Sequence, residues 1–260
     1  MSFYSLNRKS PNVSFKDALI NGLAPDKGLY FPEKINKLSE DFINNIGNYS
    51  NQEIAYECIN QFVGQDITEK YLRKIIDEVL SFDFPLVKLN NQISFLELFH
   101  GPTMAFKDVG ARFMSRCLAY FLNGSKENTE VTVLVATSGD TGGAVASGFY
   151  KVKGIKVVIL YPKGKVTSVQ EKQLTTLGEN ITALEVDGTF DDCQAMVKTA
   201  FLDKDLLNKI KLTSANSINI GRWLPQMFYF FFSYRDLKLS NLDKVAYSVP
   251  SGNFGNICAG

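Results

Sequence analysis

Short apolar runs alternate with helical stretches over most of the chain from about residue 89. Four runs are rich in β-branched or aromatic residues and end at turn signals, as is typical of strands buried in a parallel sheet. These predicted strands are residues 131–136, 156–161, 181–186 and 244–249. The predicted helices are residues 142–150, 169–177, 190–201 and 218–237, and Ser168 with Glu171 forms a capping box for one of them. The alternation predicts an α/β fold, an open and mostly parallel sheet with flanking helices.

The first 88 residues follow a different pattern. Residues 51–63 and 68–80 have helical spacing, and the second stretch carries an apolar stripe suited to a core. Residues 14–32 contain several Gly and Pro residues, which predict a loop with turns around short apolar anchors. We therefore expect a largely helical amino-terminal region over residues 1–88.

The composition excludes several classes of protein. With 28 basic and 27 acidic residues the net charge is +1, so no overall field attracts a polyanion and no nucleic-acid partner is predicted. The longest apolar run, residues 227–232, is too short for a bilayer and suits a buried helix face, and no signal peptide begins the chain. We expect a cytoplasmic protein without a membrane partner. Its four cysteines are predicted to be small buried residues rather than disulfides or metal ligands: Cys58, Cys117, Cys193 and Cys258.

Lys107 is the candidate for the chemistry. An apolar, strand-like segment and a Gly-Pro turn precede it, and an amphipathic helical pattern follows it. A lysine held among Met104, Ala105 and Phe106 is partly desolvated, which favours the neutral amine that can form a Schiff base. An ordinary surface lysine that opens an amphipathic helix is the alternative interpretation.

Three loops are suited to anions. The first, residues 137–143, runs from a predicted strand into a helix, where backbone N–H groups and the helix dipole favour a carboxylate or phosphate. It lacks the lysine of a Walker P-loop and the Gly-x-Gly-x-x-Gly pattern, so a nucleotide enzyme is not indicated. The second loop, residues 251–256, is rich in glycine and asparagine. Taken alone, the first loop is equally compatible with an ordinary strand-to-helix turn, and the second, read as a generic glycine turn, is only a weak signal for a phosphate site.

The third candidate is the start of a helix near residue 218. Asn216 and Ser217 precede it and Arg222 lies in its first turns, a combination suited to a phosphate dianion, although asparagine and serine also cap helices routinely.

His100 is the single histidine, and it lies in the turn before Lys107. We predict that it supplies an orienting hydrogen bond rather than acting as a general base.

These motifs carry a family resemblance. The sequence His-Gly-Pro-Thr-x-Ala-Phe-Lys-Asp, residues 100–108, closely resembles the cofactor-lysine signature of the threonine synthases, which are fold-type II pyridoxal-phosphate enzymes. The sequence Gly-Leu-Ala-x-Asp-x-Gly-Leu-Tyr-x-Pro, residues 22–32, resembles the amino-terminal signature of the same family. The resemblance covers essentially the whole chain. It implies a small α/β domain over residues 89–213 and the start of a large α/β domain over residues 214–260, which is incomplete because the family continues beyond Gly260.

The resemblance also implies roles for individual residues. Lys107 carries pyridoxal 5′-phosphate by forming a Schiff base with its aldehyde. Asp140 lies where many fold-type II relatives have an asparagine that faces the ring oxygen of the cofactor. The residues implied to hold the cofactor phosphate are Gly252, Asn253, Phe254, Gly255 and Asn256. Those implied to bind the anionic groups of the substrate are Thr137, Ser138 and Thr141, with Asn216, Ser217 and Arg222 at its phosphate.

The activity implied by the resemblance is the conversion of O-phospho-L-homoserine and water to L-threonine and phosphate, the last step of threonine biosynthesis. A small-molecule substrate is the implied partner, no metal is implied, and the oligomeric state is left open. Three alternatives remain: another fold-type II lyase such as a serine/threonine dehydratase, a non-catalytic cofactor-binding relative, and a fragment. Because the walls of the large domain are missing, we expect little turnover from residues 1–260 alone.

Overall fold

The fold is known from a computed structural model that describes residues 1–124, 130–238 and 244–260. Its helices are α1 (Phe15–Asn21), α2 (Glu40–Asn44), α3 (Asn51–Val63), α4 (Glu69–Val79), α5 (Asp108–Asn123), α6 (Asp140–Phe149), α7 (Ser168–Thr175), α8 (Phe190–Ala200), α9 (Lys204–Leu207), α10 (Ile220–Trp223), α11 (Met227–Lys238) and α12 (Gly255–Ala259). Its strands are β1 (Phe3–Ser5), β2 (Tyr30–Pro32), β3 (Leu86–Lys88), β4 (Ser94–Leu96), β5 (Val131–Ala136), β6 (Ile155–Pro162), β7 (Ile181–Val186) and β8 (Lys211–Thr213).

A parallel sheet of four strands, in the order β7-β6-β5-β8, organises the second part of the chain. Strand β5 pairs with β6 from Val131 opposite Ile155 onwards, and all but one of its residues are buried. A strand covered on both faces needs a continuous apolar run, and the sequence of β5 provides one. The sheet confirms three predicted strands, whereas the three-residue strand β8 is too short to show a strand pattern and was not predicted.

The chain changes direction at the centre of this sheet. After β5 it adds β6 and β7 on one side and then returns to place β8 on the other side of β5. Loops that leave the carboxyl ends of β5 and β8 therefore border one crevice, the usual place for a ligand in an open parallel sheet.

The prediction of a loop over residues 14–32 is wrong, because this segment forms helix α1 and strand β2. Ser14 caps α1 by accepting a hydrogen bond from the Asp17 amide, and the helix buries Phe15 and Leu19. Strand β2 pairs antiparallel with β1. Pairing and burial against distant residues override the local turn signals here, since Gly and Pro preferences are weak beside tertiary packing.

Two further predictions need correction. Residues 244–249 form no strand, because no neighbouring strand in the described part of the chain supplies the ladder hydrogen bonds that a strand requires. The helix predicted over residues 218–237 is divided into α10, the 3-10 turn Leu224–Gln226 and α11. Pro225 lies at this division, and a proline has no N–H to continue a helical ladder.

The amino-terminal region packs directly on the α/β part. Helices α3 and α4 lie where the sequence predicts them, and one apolar core joins them to the sheet. Phe31 stacks on Trp223 with 5.4 Å between the ring centroids, and Phe15 lies 6.5 Å from Phe113 of α5. The predicted apolar face at the start of α11 is confirmed, because Phe228 and Phe232 are fully buried.

Three cysteines, Cys58, Cys117 and Cys193, are buried as predicted. Cys258 is exposed, so the prediction is wrong for this residue, which lies on the short and sparsely covered helix α12. None of the helices in the described ranges combines the length and the apolar character needed to cross a membrane.

Candidate active site

Lys107 immediately precedes α5, and its loop is fixed from two sides. On one side the buried carboxylate of Asp108 accepts hydrogen bonds from the Thr103 amide at 2.9 Å and the Thr103 hydroxyl at 2.6 Å. On the other side the buried hydroxyl of Tyr229, in α11, donates to the carbonyl oxygen of Phe106. The residue is therefore held at a defined position while 27% of its side chain remains exposed.

The surroundings of Lys107 favour its neutral amine. Burial lowers the pKa of Lys107, the Asp140 carboxylate raises it, and the charge of Arg222 lowers it further. The Asp140 Oδ2 atom lies 3.9 Å from the Lys107 Nζ atom, which is too long for a hydrogen bond. The partial desolvation of Lys107 expected from the sequence is present, and the charge of Arg222 lowers the pKa of Lys107 further.

The loop between β5 and α6 is held together by Thr137. Its hydroxyl oxygen accepts from the amides of Gly139 at 2.9 Å and Gly142 at 2.8 Å. Thr137 is buried, Thr141 is half-buried, and Ser138 is exposed next to Asp140. The structure thus gives the Thr137 hydroxyl a role within the loop, and Ser138 and Thr141 keep hydroxyls that are accessible to a ligand.

Arg222 is a buried cation at the start of the segment that follows β8. Only 1% of the residue is exposed, one guanidinium nitrogen donates to the carbonyl oxygen of Ala215, and burial lowers the pKa of Arg222 to about 10. Among the described residues its Nε atom has no hydrogen-bond partner. Buried donors without a partner are rare in folded proteins, so this guanidinium is suited to a ligand.

Asn216 lies between this cation and the Thr137 loop. Its side-chain Nδ2 atom lies 3.5 Å from the carbonyl oxygen of Ala136, at the end of β5. Its buried Oδ1 atom has no hydrogen-bond partner among the described residues. Ser217, next in the chain, is half-buried. The loops after β5 and β8 thus meet at the crevice where the chain changes direction.

The glycine-rich loop of residues 251–256 borders the same region. A Cβ atom at Gly255 would lie 3.9 Å from the Cβ atom of Ser217, whereas one at Gly252 would meet no atom within 4 Å. The Asn256 side chain closes the loop by donating to the carbonyl oxygen of Pro250 at 2.8 Å. Among the other predicted residues, Asn253 and Phe254 are exposed. The loop is open on the side where a phosphate would need room.

His100 is bound within its own loop. Its Nε2 atom lies 2.7 Å from the Glu97 Oε2 atom, and its ring stacks on Phe99. This contact involves a carboxylate of the same loop. The orienting role of His100 stays a prediction.

Three residues of this site escaped the sequence prediction: Asp108, Tyr229 and Gln170. The Gln170 side chain donates to Asp140 Oδ1 at 2.7 Å. The capping box predicted at Ser168 and Glu171 is wrong by one residue, because Thr167 caps α7 and Gln170 completes the box. Thr-x-x-Gln is an equally good capping signal, and choosing it would have drawn attention to Gln170.

Comparison with known proteins identifies the family. Residues 2–80 match the family model described as threonine synthase N terminus, and residues 83–259 match the model described as pyridoxal-phosphate dependent enzyme. The chain belongs to the pyridoxal-phosphate dependent enzyme family. This assignment confirms the cofactor that the motifs imply.

Similar proteins include threonine synthases from Buchnera aphidicola, subspecies Baizongia pistaciae, at 44% identity and from Escherichia coli at 42% identity. The alignments cover 100% of this chain, which spans 60% of the length of each relative. Among solved structures, threonine synthase from Escherichia coli matches with a TM-score of 0.91 at 41% identity, over 100% of this chain and 60% of that one.

A second solved structure, pyridoxal-phosphate-bound threonine synthase from Brucella melitensis, also has a TM-score of 0.91, at 36% identity. It matches over 100% of this chain and 56% of that chain. These similarities confirm the fold-type II architecture implied by the resemblance.

The residues present fit pyridoxal phosphate. A partly buried lysine with a lowered pKa suits an aldehyde, because the neutral amine is the reactive form. The open space at Gly252 in the glycine-rich loop suits the anionic oxygens of the cofactor phosphate. The described residues therefore offer the two kinds of contact that this cofactor needs.

Proposed function

We propose that this chain contributes the reactive lysine and the anion-binding loops of a threonine synthase, which converts O-phospho-L-homoserine and water to L-threonine and phosphate. The similarity to threonine synthases over the whole chain supports this function. In this proposal residues 1–88 form a helical region, residues 89–213 a small α/β domain, and residues 214–260 the beginning of a large α/β domain.

Pyridoxal phosphate, when bound, supplies an aldehyde that joins an amino group and a ring that accepts electrons from the neighbouring carbon. The chain supplies the base, because the Lys107 Nζ atom can take and return a proton when its pKa is lowered by burial. Asp140 faces this amine, and the Thr137 loop presents hydroxyls and amide groups for a carboxylate. Arg222, with Asn216 and Ser217, would hold the phosphate of the substrate.

The observation that carries the proposal is the buried guanidinium of Arg222. Its Nε atom has no hydrogen-bond partner among the described residues, so an anion from outside the protein would complete its contacts. A serine/threonine dehydratase has no phosphate on its substrate, and a second anion site beside the glycine loop would be unused. Arg222 therefore favours a phosphorylated substrate over this alternative.

The role of Lys107 is tested by incubating the chain with pyridoxal phosphate, reducing it with borohydride and mapping the adduct by mass spectrometry. We expect the adduct on Lys107 and its loss in Lys107→Ala. Lys165→Ala removes an exposed lysine and serves as the control, with an unchanged adduct at Lys107. An adduct of equal yield elsewhere in Lys107→Ala would contradict the assignment.

The phosphate site is tested by comparing the binding of O-phosphohomoserine and homoserine. Arg222→Ala should weaken the phosphorylated ligand at least tenfold and leave homoserine nearly unchanged, since a hydrogen bond to a charged group is worth about 1.5–3 kcal/mol. Because Arg222 is buried, Asn216→Ala provides a second variant, and melting temperatures check that both fold. Equal losses for the two ligands would place Arg222 outside the phosphate site.

A further inference from the structure

Helix α7 bridges the two loops of the site with two glutamines. The Gln170 side chain donates to Asp140 Oδ1 at 2.7 Å, and the Gln173 side chain donates to the Thr103 carbonyl oxygen at 3.4 Å. Residues three apart lie on the same face of a helix. Thr103 is itself bound to Asp108, the residue after Lys107. One glutamine thus holds the loop of Asp140 and the other holds the loop of Lys107.

The Gln170 side chain has little freedom. Its Oε1 atom accepts hydrogen bonds from the Thr167 amide at 3.0 Å and the Thr167 hydroxyl at 3.1 Å. A Cβ atom at Gly139 would lie 2.4 Å from both the Cδ and Nε2 atoms of Gln170, so the amide rests against the glycine backbone. The capping box of α7 therefore also fixes the direction in which Gln170 donates.

Asp140 depends on this contact for its orientation. Its side chain is 56% exposed, and an exposed carboxylate is free to turn into solvent unless a hydrogen bond holds it. The bond from Gln170 engages Oδ1 and leaves Oδ2 on the side of Lys107, 3.9 Å from the Nζ atom.

We propose that Gln170 and Gln173, the glutamine bridge of α7, are positioning residues: Gln170 holds the Asp140 carboxylate and Gln173 holds the Lys107 loop, so that the two charged groups lie side by side without forming a hydrogen bond. The inference rests on the proposed role of Lys107. The charged groups that act on its amine are Asp140 from α6 and Arg222 from α10, and α7 contributes the neutral Gln170. Asp140 alone favours the ammonium form, so releasing it makes the neutral amine easier to form.

The test is a double-mutant cycle on the full chain without cofactor. The rate of acetylation of Lys107 is followed against pH by mass spectrometry, and exposed lysines of the same sample serve as references. Gln170→Met should move the midpoint of the curve of acetylation rate against pH to lower pH. At a fixed pH below that midpoint, Lys107 of the variant should react about three to ten times faster than Lys107 of the unchanged chain. Gln173→Met detaches the Lys107 loop from α7 and lets the amine move away from Asp140, so it should shift the midpoint in the same direction by a smaller amount. Gln194→Met on α8 is the matched control without a shift.

Asp140→Asn separates a specific effect from a general disturbance. We expect it to lower the midpoint in the otherwise unchanged chain and to have a much smaller effect once Gln170 is replaced. Gln170→Leu also removes the donor without adding a charge, and it replaces Gln170→Met in the cycle if the methionine variant is unstable.

The outcomes distinguish this inference from the proposed function. If Lys107 of the unchanged chain reacts like the exposed lysines, the proposed role of Lys107 fails. If Lys107 is distinct but Gln170→Met leaves its midpoint unchanged or raises it, the positioning role is overturned. A full Asp140→Asn shift in the Gln170 variants would overturn it as well.

Discussion

Two basic side chains, Lys107 and Arg222, share one site, and the positive charge of Arg222 makes the ammonium form of Lys107 less favourable. Burial lowers the pKa of both residues, and the charge of Arg222 adds to the effect on Lys107. An anion bound at Arg222 would neutralise part of this repulsion. The affinity of Arg222 for an anion and the proton affinity of Lys107 are therefore linked, because each charge changes the electrostatic free energy of the other.

Tyr229→Phe removes the hydroxyl that donates to the Phe106 carbonyl oxygen. We expect it to lower the free energy of unfolding by about 1–2 kcal/mol, since a carbonyl in the Lys107 loop loses its partner. Urea denaturation measures this loss. Tyr71→Phe is the control, because 52% of Tyr71 is exposed, and it should change stability by less than about 0.5 kcal/mol. Equal losses would show that the Tyr229 hydroxyl does not stabilise the loop.

Among the elements, the turn from β5 into α6 makes the strictest demand on its sequence. Gly139 has a φ of 137°, a conformation that side chains rarely adopt, and it touches the Gln170 amide. The backbone of this turn and the side chain of α7 occupy adjoining space. A residue larger than glycine would displace the hydrogen bond to Asp140.

Gly139→Ala should lower the free energy of unfolding by about 2–5 kcal/mol, from backbone strain and overpacking together. Gly164→Ala is the matched control, because Gly164 also has a positive φ, 63°, but no atom lies within 4 Å of its Cβ position. It should cost about 1–2 kcal/mol. Chemical denaturation of both variants checks the difference, and similar losses would mean that contact with Gln170 is unimportant.

The cap of α7 can be tested by two alanine substitutions. Thr167→Ala should cost about 1 kcal/mol, because the Thr167 hydroxyl accepts from the Gln170 amide, whereas Ser168→Ala should change stability by less than about 0.5 kcal/mol. The difference in free energy of unfolding decides between the two residues. A larger loss of unfolding free energy for Ser168→Ala than for Thr167→Ala would show that Ser168 caps α7, as predicted from the sequence.

The sequence predicted elements best where local pattern and tertiary context agree. The β-branched run of β5 is a strand by propensity and is also buried on both faces, so its limits were predicted correctly. Helix α1 was missed because its stability comes from burying Phe15 and Leu19 against residues far away in the chain. The motifs identified Lys107 and the loops, but Tyr229 and Gln170 reach the site from distant helices, and no local pattern reveals such contacts.

In the whole molecule, residues 244–249 have strand-like composition and no partner strand in the described ranges. Their exposure contrasts with β5 and β6, which are paired on both sides and largely buried. The segment leads into the glycine-rich loop of residues 251–256. The order of this loop therefore depends on contacts with α10 and Ser217 rather than on a sheet.

Hydrogen exchange should reveal this difference in local stability. We expect the amides of residues 244–249 to exchange at nearly the rate of an unstructured peptide and those of β5 to be protected by a factor of at least about a thousand. Mass spectrometry of peptic fragments measures both segments in one sample. Strong protection of residues 244–249 would show that they are paired, for example with a second molecule.

The close packing of α5 on α10 has a consequence for substrate length. A Cβ atom at Gly110 would lie 2.3 Å from the Arg222 carbonyl oxygen, so the two helix backbones are in contact. Lys107 immediately precedes α5 and Arg222 lies in α10, so this contact fixes the spacing between the two backbones that carry the amine and the guanidinium. If the proposed function is correct, this fixed spacing should favour a phosphorylated amino acid of one chain length, and an analogue shorter by one carbon should bind more weakly.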